Sequence, residues 1–363
     1  MAVRSWILQE EINLPRRYRP MEPIGQGAFG LVFSALDSAR PSTNCFVAIK
    51  KTRVSGNSCA RHILQEITVL RQICHDNVLG LDDIIHPCGG SEDLYLVTEL
   101  METDLGSVLK SDQVLEEFQI KLIFSQLMRG LEYLHGLKIA HRDIKPRNLL
   151  LKATCDLKIC DFGLSKICSD QRLRMTDYVC TRWYRAPEVL LGCAVHGPPV
   201  DIFSAGCILG ELLCRRPLLP GSNSERQLQL TLTRFGKESL GFVPGGPIKA
   251  AFDRFYNTST ARGNLESYIS CGDPRATGLI RQACRLNPDA RISASQALRS
   301  TWFGKLTEVP PQIFCHKDLF STLHQEEDIN AMKELIRQEV LKVVPYNGEA
   351  VAPTQYSNFP CGD

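Results

Sequence analysis

The sequence predicts an α+β, two-lobed chain: a small N-terminal lobe built on an antiparallel sheet with one helix, then a larger, mostly helical C-terminal lobe. A chain of 363 residues that is 44% hydrophobic suggests two cores rather than one compact unit. From residue 18 to about 97 the pattern is strand-like around a single helical stripe, and from about 104 the apolar spacing turns helical. In order, residues 1–17 read as a polar lead-in closed by Arg16 and Arg17. Phe46-Val47-Ala48-Ile49-Lys50 and Leu94-Tyr95-Leu96-Val97 read as strands. Between them Ile63, Ile67, Leu70 and Ile73 recur at helical spacing, so 59–73 is expected to be a helix. Residues 99–103 form a hinge between an N-lobe of 18–98 and a C-lobe of 104–303. In the C-lobe, Ile120 to Leu134 and Pro199 to Cys214 are long helices, and short strands fall around 149–151 and 157–159. The domain, 18–303, ends near Phe303 and is followed by an extension, 304–344, with a helix from Asp328 to Leu341. Residues 345–363 carry three prolines and little apolar content, and are expected to be mobile.

Composition narrows the function. A formal charge of +2, with no basic run of five, argues against nucleic acid or an anionic membrane as a partner. The longest apolar stretch, Ile202 to Cys214, is interrupted by Ser204 and Glu211 and is too short to span a bilayer. The fifteen cysteines form no CxxC pair, and the eight histidines show no metal-ligand spacing. Without a signal peptide the thiols are expected to be reduced, in cytoplasm or nucleus.

Chemistry concentrates in His141-Arg142-Asp143-Ile144-Lys145-Pro146-Arg147-Asn148, followed eighteen residues after Asp143 by Asp161-Phe162-Gly163 and then by Ala186-Pro187-Glu188. Phosphoryl transfer needs a carboxylate beside the attacking hydroxyl, a lysine at the phosphates and oxygen ligands for a metal. Asp143 fits the first requirement, Lys145 with Lys50 the second, and Asn148 and Asp161 the last. Upstream, Gly25-Gln26-Gly27-Ala28-Phe29-Gly30 is a GxGxxG turn. Alone it is weak, because dinucleotide-binding folds share it, but there a helix must follow. Here Leu31-Val32-Phe33 continues as strand, so residues Ile24 to Val32 are expected to form a hairpin over phosphates. Lys50 falls twenty residues past Gly30 on its own strand and should pair with Glu66 of the helix. Thr98-Glu99-Leu100-Met101 would make the hinge, with the backbone of Glu99 and Met101 on adenine, and Ala48, Val32 and Leu150 around the base.

These motifs resemble the eukaryotic protein kinases over 18–303, and Lys145 matches the Ser/Thr-specific class. Thr176-Asp177-Tyr178, the segment Val179 to Glu188, and Leu100-Met101-Glu102-Thr103-Asp104-Leu105 resemble the mitogen-activated protein (MAP) kinases. His75 to Leu79 and Leu157 to Leu164 are similar to the Nemo-like branch, which usually lacks the tyrosine at the position of Tyr178. The resemblance implies a bilobal kinase fold, ATP with Mg²⁺, and transfer to Ser or Thr followed by proline. It also implies activation by an upstream dual-specificity kinase at Thr176 and Tyr178. Phospho-Tyr178 would meet Arg182 and Arg185; phospho-Thr176 would meet Arg142 and Lys166. The family commonly adds arginines at the positions of Gln65 and Lys166, so the threonine-phosphate grip should be weak, unless Arg61 or His62 substitutes. Glu188 should pair with Arg291, and Glu326, Glu327 and Asp328 resemble an acidic docking site for docking-motif proteins, although acids before a helix also serve as simple caps. Two other readings stay open: a kinase-fold scaffold that binds partners without chemistry, and a cyclin-dependent-type kinase. Intact Lys50, Asp143 and Asp161 weigh against the scaffold; the Thr-x-Tyr pair and a helix 59–73 without a cyclin-type motif weigh against the other.

Overall fold

The structure, a computed structural model, describes residues 2–27, 30–41, 45–54, 56–86, 92–167, 182–193, 197–236, 250, 253, 256, 263–269, 273–307 and 329–343. The expected phosphorylation sites Thr176 and Tyr178, the loop residues Ala28 and Phe29, the acids Glu326, Glu327 and Asp328, and the tail 345–363 lie outside the described residues. The chain divides into two compact units, one comprising 1–73, 80–101 and 323–363, the other 74–79 and 102–322.

Residues 1–17 are not a lead-in: β1 (Ala2–Ile7) and β2 (Glu10–Pro15) form an antiparallel hairpin. Ile12 and Leu14 alternate inward, as a strand's period of two requires, and are fully buried. Lys51 holds the hairpin down, its Nζ donating to the Glu11 carbonyl at 2.9 Å and lying 3.1 Å from the Glu10 carboxylate. The main sheet runs in the order β3 (Tyr18–Gly27), β4 (Gly30–Asp37), β5 (Phe46–Arg53), β7 (Asp93–Glu99), β6 (Asp83–Ile85), antiparallel throughout. One face buries Leu31, Phe33, Val47, Ile49, Tyr95 and Val97 with the hairpin's Ile12 and Leu14. The other packs Ile84, Leu94 and Leu96 against Ala60, Ile63, Leu64 and Ile67 of α1 (Gly56–Leu70), an i, i+3, i+4, i+7 stripe. The C-terminal helix Ile329–Val343 inserts Met332 and Ile336 into that same cluster. It therefore joins the unit that begins the chain.

The second unit is mostly helical. β8 (Thr103–Asp104) pairs with β10 (Leu149–Leu151), which pairs with β11 (Leu157–Ile159); β9 (Ile139–Ala140) pairs with β12 (Lys166–Ile167). α2 spans Leu105–Lys110, and α3, Glu117–Gly136, begins on a reciprocal capping box between Glu116 and Gln119. α4 is Pro187–Leu190 and α5 is Pro199–Cys214, the latter buried from Val200 to Leu212. A Cβ at Gly206 would lie 2.5 Å from Cys284 Sγ and 2.9 Å from Ala283 Cβ, so glycine there lets α5 approach the helix Pro274–Ala283. α6, Ser224–Phe235, follows a cap by Asn223. Residues 74–79, expected in the N-lobe, belong here instead: the Asn77 amide donates to Gln126 Oε1 at 3.0 Å and to the Leu157 carbonyl at 3.1 Å.

Candidate active site

In the first unit, cross-strand register places the nucleotide-type residues on one surface. Val32 lies opposite Lys50, and Ala48 opposite Thr98. Because side chains alternate, Val32, Ala48 and Lys50 occupy the half-buried face while Val47 and Ile49 fill the core. Lys50 Nζ donates to Glu66 Oε1 at 2.7 Å and Oε2 at 2.8 Å, tying β5 to α1. The pairs Gly25–Val32, Gln26–Leu31 and Gly27–Gly30 close the glycine hairpin. Gly30 has φ +123°, and a Cβ there would lie 1.9 Å from the Lys51 carbonyl oxygen. Only glycine fits that position. Ile24 is exposed, Glu99 ends β7 half-buried, and Met101 is buried as the last residue of this segment.

In the second unit the loop after β9 is held by a buried carboxylate that the motif reading missed. Asp201, in the first turn of α5 and fully buried, accepts from the His141 amide (2.8 Å) and His135 Nε2 (2.9 Å) through Oδ2. Its Oδ1 accepts from the Arg142 amide at 2.7 Å. Arg142 is thereby fixed at φ 69°, a left-handed conformation that costs a non-glycine residue about 1 kcal/mol or more. His141 continues the scaffold: its Nδ1 receives the Asp143 amide at 3.3 Å and its Nε2 lies 3.0 Å from the Cys160 carbonyl. The Asp143 carboxylate is asymmetric in its contacts. Oδ2 accepts from Lys145 Nζ at 2.5 Å and from Asn148 Nδ2 at 3.1 Å. Oδ1 has no partner among the described residues. Asn148 also donates to the Asp143 carbonyl at 2.9 Å, which commits its amide nitrogen and leaves its oxygen as an acceptor. Asp161 has φ 67° and is half-buried. An amide oxygen and a carboxylate are hard oxygen donors, the set that suits a small divalent cation.

Around this loop, Leu150 is half-buried on β10 opposite Lys158, and Lys166 pairs with Ala140. Arg182 and Arg185 share a turn, the Arg185 amide donating to the Arg182 carbonyl at 3.0 Å. A small cavity is lined by Asp143, Lys145, Tyr184, Arg185, Val189 and Ser204. Tyr184 donates to Glu211 Oε2 at 2.6 Å; burial and that carboxylate push its phenol far above the ordinary range. Glu188 and Arg291 form the expected pair, Oε1–Nη1 2.5 Å and Oε2–Nη2 2.6 Å. Carbonyls of Arg285, Pro199 and Leu286 take the other guanidinium donors, so the buried cation is fully satisfied.

The comparisons agree with this geometry. The protein kinase domain family matches residues 18–303. Mitogen-activated protein kinase 3 of Arabidopsis thaliana is 38% identical over 345 residues, covering 93% of this chain and 92% of the relative. Mitogen-activated protein kinase 4 of Oryza sativa subsp. japonica is 37% identical, covering 95% and 93%. Mitogen-activated protein kinase 10 of Arabidopsis thaliana is 39% identical, covering 92% and 85%. The fold and site define a protein kinase, and the chain belongs to the MAP kinase family of Ser/Thr protein kinases. Membership brings ATP, a divalent metal, protein substrates and upstream kinases in general terms.

Proposed function

We propose that this chain is a proline-directed MAP kinase that uses ATP with Mg²⁺ and is switched by phosphorylation of Thr176 and Tyr178. The observation that carries the reading is the Asp143 carboxylate, with Oδ2 engaged by Lys145 and Asn148 and Oδ1 left to accept from a substrate hydroxyl. Asp143 would orient that hydroxyl and take its proton, while Lys145 supplies a compensating charge. Asn148, through its oxygen, and Asp161 would hold Mg²⁺, which neutralises phosphate charge when bound. Lys50, held by Glu66, would engage the α- and β-phosphates, and the hairpin Ile24–Val32 would cover them. The backbone of Glu99 and Met101, with Val32, Ala48 and Leu150, would take adenine.

Proline selectivity has a physical basis. A substrate proline lacks an N–H, so a pocket near Arg185 that offers no acceptor costs proline nothing and penalises other residues. Phospho-Tyr178 would pair with Arg182 and Arg185, and phospho-Thr176 with Arg142 and Lys166. Glu326, Glu327 and Asp328 would receive basic docking peptides, and reduced thiols suit the cytoplasm or nucleus. The test is radiolabel transfer to Ser-Pro and Ser-Ala peptides, before and after treatment with an activating kinase. We expect Ser-Pro transfer that rises on activation and is abolished by Asp143→Asn with nucleotide binding retained. Transfer that survives Asp143→Asn, or that ignores the proline, defeats the reading; a chain that binds partners but transfers nothing is the scaffold.

A further inference from the structure

The catalytic loop carries a charge that none of these roles uses. His141 to Asn148 holds Arg142, Lys145 and Arg147 against one carboxylate, Asp143. Lys145 is compensated by that carboxylate at 2.5 Å. Arg147 sits in the single 3₁₀ turn Pro146–Asn148, between two buried neighbours, and its own side chain is exposed. The turn thus fixes its backbone and turns its side chain to solvent. Its stem lies by Gly106 of α2, where a Cβ would come within 3.2 Å of Arg147 Cγ. The same Cβ would come within 2.9 Å of Asp104 Oδ1, and that carboxylate is engaged by Ser107: Oδ1 accepts from the Ser107 amide at 3.0 Å and Oδ2 from Ser107 Oγ at 2.7 Å. Among the described residues, no hydrogen bond or ion pair holds the Arg147 guanidinium.

An exposed guanidinium that no described hydrogen bond or ion pair holds, four positions from the catalytic aspartate, lies within reach of the chain flanking an accepting hydroxyl. We propose that Arg147 is a specificity residue, selecting protein substrates with an anionic side chain near the accepting hydroxyl. The inference rests on the protein kinase reading. Four residues of extended chain span at most about 14 Å, so the anion should lie within about four substrate residues of the acceptor. A planar fork of donors recognises carboxylate or phosphate bidentately, which lysine would do less well. Solvent exposure limits the gain from one carboxylate to about fivefold, with a larger gain for a phosphate at its higher charge. Added salt should shrink both.

The experiment uses the full chain, activated, on a Ser-Pro parent peptide in which one Glu, Lys or phosphoserine is walked through the flanking positions. Each enzyme is scored by the ratio of kcat/KM for the charged peptide to that for its own parent, at low and high salt. Wild type should favour an acid at one position by about fivefold, mainly through KM. Arg147→Glu should lose that preference and favour Lys at the same position; Arg147→Gln should give a flat profile and serves if the charge reversal does not fold. A preference for phosphoserine alone assigns the site to substrates already phosphorylated nearby, and a preference for both assigns it to acidic chains generally. A flat wild-type profile, or the same acid preference in wild type and Arg147→Gln, overturns the proposal and leaves the kinase reading standing. No transfer to the parent by the activated chain overturns both.

Discussion

Asp201→Asn isolates the device that holds the catalytic loop. The change is nearly isosteric, so the fully buried site keeps its packing. An amide has one acceptor oxygen where the carboxylate has two. Keeping that oxygen toward the His141 amide and His135 Nε2 retains two contacts, at 2.8 and 2.9 Å, and turns the NH₂ group against the Arg142 amide, formerly 2.7 Å away. A buried backbone donor then faces another donor. Leaving it unsatisfied costs about 1–3 kcal/mol, and the two remaining bonds fall from charge-assisted to neutral strength, so the total is about 3 kcal/mol. The left-handed backbone of Arg142, φ 69°, is what the lost bond was holding, and the loop recovers its strain by relaxing. About 3 kcal/mol lowers the ratio of anchored to released loop by about a hundredfold, and kcat follows that ratio once the released form dominates. The expected result is kcat lowered by up to about a hundredfold, with nucleotide affinity, which depends on Lys50, changed little. The measurement is steady-state kinetics on a Ser-Pro peptide beside nucleotide binding by calorimetry. A kcat within about threefold of wild type would refute the anchoring argument.

Breaking the ion pair by Glu188→Ala strands Arg291, whose side chain is 0% exposed, and should cost about 3–5 kcal/mol of stability. The pair Glu188→Met with Arg291→Met should recover most of it in a denaturant midpoint, and a single-variant cost under about 1 kcal/mol would contradict burial of the charge. Burial pushes the His75 imidazole down to about 4 from 6.5, so its stability contribution is fully present above pH 6.5 and is lost as pH falls through 4. His75→Asn, which offers an acceptor to the Asn77 amide now bound at 2.9 Å, should flatten unfolding free energy across that window; an unchanged slope sinks the assignment. Gln65 has a buried Nε2 with no partner among the described residues, and it occupies the position where an arginine would grip phospho-Thr176. Gln65→Arg should therefore raise turnover several-fold after dual phosphorylation, and no gain would favour Arg61 or His62 as the substitute.

What could be read in the sequence was what chemistry dictates locally. A phosphate lysine, a hydroxyl-orienting carboxylate and metal ligands admit few residue types, so Lys50, Asp143, Asn148 and Asp161 stand out at fixed spacings. The Lys50–Glu66 and Glu188–Arg291 pairs followed, because their partners also sit in motifs or apolar elements. The N-terminal hairpin was missed because its signal is a short alternation, Ile12 and Leu14, beside Glu10 and Glu11. It becomes a strand only by packing on distant partners, with the Asn13 amide donating to Tyr95 Oη at 3.1 Å. The helix expected over 59–73 ends at Leu70 although Ile73 keeps the spacing and is buried. The Gln72 amide turns back to the Val69 carbonyl, three residues away, so the chain leaves the helix while burial continues. Asp201 was overlooked for a related reason: the apolar run was read from Ile202, and the carboxylate just before it looks like an ordinary acid in a helix's first turn. Its importance lies in donors about sixty residues upstream, His141 and Arg142, which no local pattern names. Reactive groups announce themselves by type, whereas the groups that position them are ordinary residues made special by a partner far along the chain. A lone carboxylate bordering an apolar helix is therefore the first place to look for the anchor of a catalytic loop.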